Sequence, residues 1–227
     1  MPGLIIIVFV AFIALAIYIS MRLAAARRKE LTEWGAGRGL TFSPDKDSSL
    51  ESRYPEYSCL RNGGNRYGYN FLSGSWSGRD YLSFDYHYET HSTDSQGHAQ
   101  THTHRFSSVI LTSPVPLKSL VIRPEHMFDK LAGFFGHDDI NFESAEFSKA
   151  FYVKSPDKKW AYDVIHQRTM EFLLEMPKFS LEMDGHSVIA WRSKVFETQD
   201  FEQAAELIKG VLDRLPEYLV QQQTSQP

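Results

Sequence analysis

The sequence predicts an α+β protein: an N-terminal transmembrane helix followed by one domain of antiparallel sheet with about three packed helices. Three observations carry this. Pro2 to Met21 holds no charged side chain, Ser58 to Pro124 alternates apolar and polar residues between turn formers, and the C-terminal third carries apolar stripes at helical spacing. An apolar fraction of 42% with 23% charged residues belongs to a folded chain.

The first element is the anchor. Leu4 to Ile19 is uniformly apolar, and at about 1.5 Å rise per residue the segment with its flanks approaches the hydrocarbon thickness. Leu4, Ile5, Phe9, Phe12 and Ile19 are expected among the residues of the membrane anchor, and Tyr18 suits the headgroup interface. Arg22, Arg27, Arg28 and Lys29 follow the span, whereas the short tail before it has no Lys or Arg. The positive-inside rule then predicts a single pass through a bacterial inner membrane, N-terminus out and C-terminal domain cytoplasmic. A cleaved signal peptide would carry its basic residues before the apolar stretch, the reverse of the order here.

Residues 22–40 read as a basic juxtamembrane helix or stalk ending at Gly35, Gly37 and Gly39, residues 41–219 as the soluble domain, and residues 220–227 as a disordered tail. Ser43 to Tyr57 reads as irregular or one short helix. In the period-two region the clearest strand is Tyr81 to Glu89, with Leu82, Phe84, Tyr86 and Tyr88 on one face and Ser83, Asp85, His87 and Glu89 on the other. Its expected partner is His102 to Thr112, followed by a strand from Lys118 to Ile122.

Pro124 to Ala132 is expected as a short helix with Met127, Phe128 and Leu131 inward, and Phe151 to Lys154 as a strand. Ser155 with Pro156 behind it is expected to open one helix reaching about Glu175. Asp184-Gly185 between Phe179 to Glu182 and Val188 to Val195 is a hairpin signal. The last helix is expected from Asp200, capped with Gln203 and striped by Phe201, Ala204, Ala205, Ile208, Val211, Leu212 and Leu215 up to Pro216.

Candidate chemistry concentrates in the arm between the two clearest strands. His87, Glu89 and His91 precede the turn near Gln96-Gly97, and His98, His102 and His104 follow it. A register pairing His91 with His102 and Glu89 with His104 would gather imidazoles and a carboxylate able to hold a transition metal. The competing reading is a solvated hairpin tip in which His is one polar residue among Ser, Thr and Gln. His137-Asp138-Asp139 lacks the further ligands of a metal phosphohydrolase and reads as a turn. Gly74-Ser75-Trp76-Ser77-Gly78 is no nucleophile elbow, and Gly35-Ala36-Gly37-Arg38-Gly39 follows a helix, the wrong context for a dinucleotide fingerprint. Cys59, the single cysteine, reads as a small hydrophobe, and Arg123 as one half of a structural ion pair.

A net charge of -4, with the dense basic cluster beside the span, gives no footprint for a phosphate backbone, so no nucleic-acid partner is expected. The expected partners are membrane lipids through the N-terminal helix and another membrane or cytoplasmic protein. Phe142-Glu143-Ser144, Glu146-Phe147, Phe151 to Ser155, Asp157, Ala161 and the Phe179 to Ala190 pattern leading to Phe196 resemble the C-terminal part of a bacterial membrane-anchored family, domain of unknown function 3137. The likeness runs over residues 142–205. It implies a membrane-anchored α+β domain and transfers no catalytic residue. The leading functional expectation is an interaction or scaffold module; the alternative is a metal-dependent enzyme or a pH or metal sensor built on the histidine arm.

Overall fold

The computed structural model describes residues 2–94, 96–125 and 140–224, with side chains described from residue 6 to residue 221. It is α+β, an N-terminal apolar helix followed by a six-stranded antiparallel sheet and several helices. Helix α1, Pro2–Ala36, is one uninterrupted helix of 35 residues. It is long and apolar enough to cross a membrane. Phe9, Phe12 and Ile19 are exposed along it. The side chains of Leu4 and Ile5 lie outside the described residues.

The expected stalk is docked at its C-terminal end. Leu31 is fully buried, Trp34 stacks on Trp76 at 6.3 Å, and a β-carbon on Gly35 would sit 2.5 Å from Leu72 Cδ2. The last turns of α1 are therefore part of the domain's core, with no linker between its apolar stretch and the fold.

After β1, Thr41–Ser43, comes the short helix α2, Leu50–Arg53, then a 3₁₀ turn at Ser58–Arg61. Strands β2, Gly64–Trp76, β3, Arg79–Thr93, and β4, Ala99–Pro124, form a meander, and β4 is the spine of the sheet. Its N-terminal part pairs with β3, its last residues with β5, Phe151–Lys154, and its middle with β6, Ser180–Arg192. Both faces of this sheet are covered. Phe84, Tyr86, Phe106, Ile110, Ile189 and Trp191 pack under Leu50, Tyr57, Cys59 and Leu60. On the other face Tyr81, Val109, Leu111, Val188 and Ala190 join the main core with Leu31 and the C-terminal helices.

Those helices are α3, Ala145–Ala150, α4, Lys158–Val164, α5, Gln167–Glu175, α6, Thr198–Leu212, and α7, Glu217–Thr224. The predicted stripe of α6 is buried as read. Its cap lies three residues earlier than expected, because Glu197 and Asp200 form the capping box while Asp200 also pairs with Arg192 at 2.7 Å.

Four expectations are corrected. Asp184-Gly185 does not turn a hairpin: β6 is one strand, and Gly185, at φ 55°, faces Leu117 where β4 bulges. The β4 segment there contains Pro114 and Pro116, which have no N–H to give a ladder, so pairing resumes out of step. The helix expected from Ser155 to Glu175 is two. Ser155 Oγ donates to Ser119 O at 2.7 Å, leaving Asp157 to cap α4, and the chain breaks at Ile165-His166. Pro124 ends β4 opposite Phe151 instead of opening a helix, and the rest of that expected helix, with Met127, Phe128 and Leu131, lies outside the described residues. Residues 220–224, expected within a disordered tail, are helical in α7. The turn at His137-Asp138-Asp139 also lies outside the described residues.

Candidate functional site

The histidine arm folds as a β3–β4 hairpin closed by Asp94, whose Oδ1 accepts the backbone N–H groups of Gln96 and His98. The register differs from the expected one by a single residue. His102 faces Thr90, His104 faces Tyr88, His91 faces Thr101, Glu89 faces Thr103 and His87 faces Arg105. Because side chains alternate along strands, this slip puts His87, Glu89 and His91 on one face of the ribbon and His102 and His104 on the other.

Each imidazole is held locally. His104 Nε2 lies 2.8 Å from Thr90 Oγ1 with its ring on Tyr88, His102 Nε2 2.8 Å from Ser92 Oγ, and His91 Nδ1 3.0 Å from Thr101 Oγ1. His87 stacks on Tyr67 at 4.5 Å and reaches Glu89 at 3.3 Å. No group of three or more His, Cys, Asp or Glu side chains among the described residues is placed to hold a metal.

What the geometry assembles instead is a polar centre under the anchor helix. Ser83, Asp85 and His87 were expected to face away from the aromatic core; they do, and they are buried there by the second layer. Asp85, only 1% exposed, accepts hydrogen bonds from Ser107 Oγ at 2.5 Å, Asn70 Nδ2 at 2.9 Å and Arg27 Nη2 at 3.3 Å. Ser107 Oγ in turn accepts the N–H of Phe196 at 2.9 Å. One carboxylate thus joins α1, β2, β3, β4 and the segment entering α6. Arg27 also lies 5.6 Å from the Phe201 ring centroid. Its role in the sequence reading was orientation across the membrane alone. Asp85 was not singled out, although a carboxylate among aromatic strand residues and an Arg five residues past the first basic residue were the available signals.

Above this centre runs a groove of about 590 Å³ between α1 and the sheet. Ala16, Ile19 and Leu23 form its helical wall, Val195 its opposite lip, and Tyr69, Asn70 and Asp85 its polar floor, with the exposed Arg105 at its mouth. Burial, then the negative charge of Asp85, pushes the Tyr69 phenol up to about 12.

A second buried pair lies on the other face. Arg123 Nη2 reaches Glu182 Oε1 at 3.2 Å and Ser58 Oγ at 2.7 Å, while Glu182 accepts the N–H of Ser58 at 2.6 Å. This is the structural role expected of Arg123, and it clamps the 3₁₀ turn onto the sheet. Burial, with Glu182 nearby, pushes the Cys59 thiol well above its ordinary value, which keeps it protonated and unreactive.

No family model matches the chain, and no curated protein matches it. Among solved structures the fold is similar to the crystal structure of the mycobacterial trehalose monomycolate transport factor A, TtfA. The TM-score is 0.58 and the identity 12%, over 82% of this chain and 92% of that one.

Proposed function

We propose that the chain is a single-pass protein of a bacterial inner membrane, N-terminus outside, whose domain works at the cytoplasmic face as an interaction module. The observation that carries this reading is the unbroken passage of α1 from an apolar span into the core, where Leu31 is fully buried. A tether without a linker fixes which face of the domain looks at the bilayer, so a partner embedded in the same membrane meets a preoriented surface. Tethering also raises the local concentration of weak partners, so a modest interface suffices. The basic residues Arg22, Arg28 and Lys29 are exposed just past the span and favour an anionic leaflet, each contributing on the order of 1 kcal/mol.

The structural neighbour supports a narrower form of this proposal. TtfA is named as a transport factor for trehalose monomycolate. By that likeness the partner here is a membrane protein of a transport process, which the domain assists without itself forming a pathway. The resemblance over residues 142–205 to membrane-anchored bacterial proteins points the same way.

The test is site-specific photocross-linking in intact cells from positions on the exposed sheet edge and helices, with C-terminal reporter fusions in parallel. The reading expects one membrane protein captured from neighbouring positions and a reporter active only in the cytoplasm. A reporter active outside, or cross-links scattered over unrelated proteins, contradicts it.

A further inference from the structure

We infer that the groove between α1 and the sheet holds one anionic phospholipid, its phosphate against Arg105 and the start of an acyl chain along Ile19 and Leu23. This goes beyond the interaction module and rests only on that reading's membrane span. Three observations carry it. First, the wall belongs to the anchor itself. Ala16 and Ile19 lie in the uncharged segment that ends before Arg22, and three residues of helix rise about 4.5 Å, so the mouth opens at the boundary between hydrocarbon and headgroups.

Second, the groove is two-sided in character. Ile19, Leu23 and Val195 are apolar and exposed, at 48%, 67% and 39%, while its floor is polar. An amphiphile matches both surfaces, whereas a wholly polar or wholly apolar solute would leave one of them mismatched.

Third, the charges leave a net cation. Asp85 already accepts from Arg27, Asn70 and Ser107, so it offers little to a bound cation. Arg105 is exposed at the mouth and makes no ion pair among the described residues. A guanidinium in that position matches a phosphodiester, which can accept from it in bidentate fashion.

The experiment uses the intact chain in nanodiscs containing a small fraction of phosphatidylglycerol in phosphatidylcholine, released for native mass spectrometry. One phosphatidylglycerol is expected to stay bound to the wild type. R105Q, which alters an exposed side chain, is expected to lower its retention about tenfold, and V195W, which narrows the lip, to lower it as well. The double variant R28Q/K29Q, outside the groove, is expected to retain the lipid. Circular dichroism of each variant separates loss of lipid from loss of fold.

Equal retention of phosphatidylcholine overturns the proposal, as does equal loss in R28Q/K29Q, which would mean diffuse surface charge. Displacement by millimolar glycerol phosphate would assign the site to a soluble phosphate and also overturns it. Alkaline extraction is run alongside. A chain that leaves the membrane there refutes the span, whereas a chain that stays embedded but holds no phosphatidylglycerol refutes only the lipid site.

Discussion

Asp85 shows how one side chain can tie a long apolar helix to the sheet it packs on. A carboxylate excluded from water is tolerable only with charge and hydrogen bonds around it, and here Arg27, Asn70 and Ser107 supply them. Replacing Asp85 by Ala leaves the Arg27 guanidinium, 19% exposed, without that partner. Urea unfolding of the intact protein in detergent should show a loss of about 3 to 5 kcal/mol, against less than about 0.5 kcal/mol for the exposed Asp45→Ala. Asp200 gives a pH signature. Burial raises its pKa, but bonds from Lys194 and the Glu197 N–H, with the charges of Lys194 and Arg192, outweigh burial and hold it below its ordinary value. Its contribution is therefore present above about pH 4 and lost as pH falls through the depressed value. Asp200→Asn should be less stable than wild type at pH 7, and the difference in thermal midpoint should shrink below pH 4. At this scale the sequence revealed identities but not burial. Strand alternation correctly put Asp85 opposite the aromatic face, yet a period of two cannot tell a solvated polar face from one roofed by a helix.

Among the elements, the clearest sequence signals were those with redundant periodicity. The stripe of α6 and the β3 alternation each repeat over several residues, so one ambiguous position does not disturb them. The errors occurred where a single local motif was read alone. Asp184-Gly185 has hairpin chemistry, but the positive φ of Gly185 lies opposite a bulge of β4, which runs alongside both halves of β6. Gly185→Ala should then cost about 1 to 2 kcal/mol in urea unfolding, the penalty of a left-handed alanine, without changing the strand pairing seen by hydrogen exchange. The register of the histidine arm differs from the expected one for a related reason. No apolar alternation in Thr90 to Thr101 marks the register that the Asp94 turn sets, and a slip of one residue exchanges the faces. With His91 and His102 on opposite faces, zinc titration of the intact protein by calorimetry should find no stoichiometric site of micromolar affinity. The double variant H91A/H102A should match wild-type stability within about 0.5 kcal/mol.

For the molecule as a whole, the sequence announced a membrane helix and an α+β domain; the domain is present, preceded by a helix long and apolar enough to cross a membrane. It did not announce that they form one body, since docking depends on tertiary neighbours such as Leu72 and Trp76 that no local pattern links to Leu31 and Trp34. The proposed function follows from that union, because a domain held without a linker to a spanning helix would have one orientation against the bilayer. Gly35→Leu should drive a side chain into Leu72, undocking the helix while leaving its span membrane-embedded in alkaline extraction. The most direct test is the depth of a nitroxide attached to Val195→Cys in liposomes, read from collisions with oxygen and with a water-soluble nickel chelate; Cys59, 1% exposed, stays unlabelled. A rigidly docked domain puts that label at the headgroup level in an otherwise wild-type chain and moves it into water when Gly35→Leu is added. A label already fully aqueous without that change, or one indifferent to it, would contradict the account.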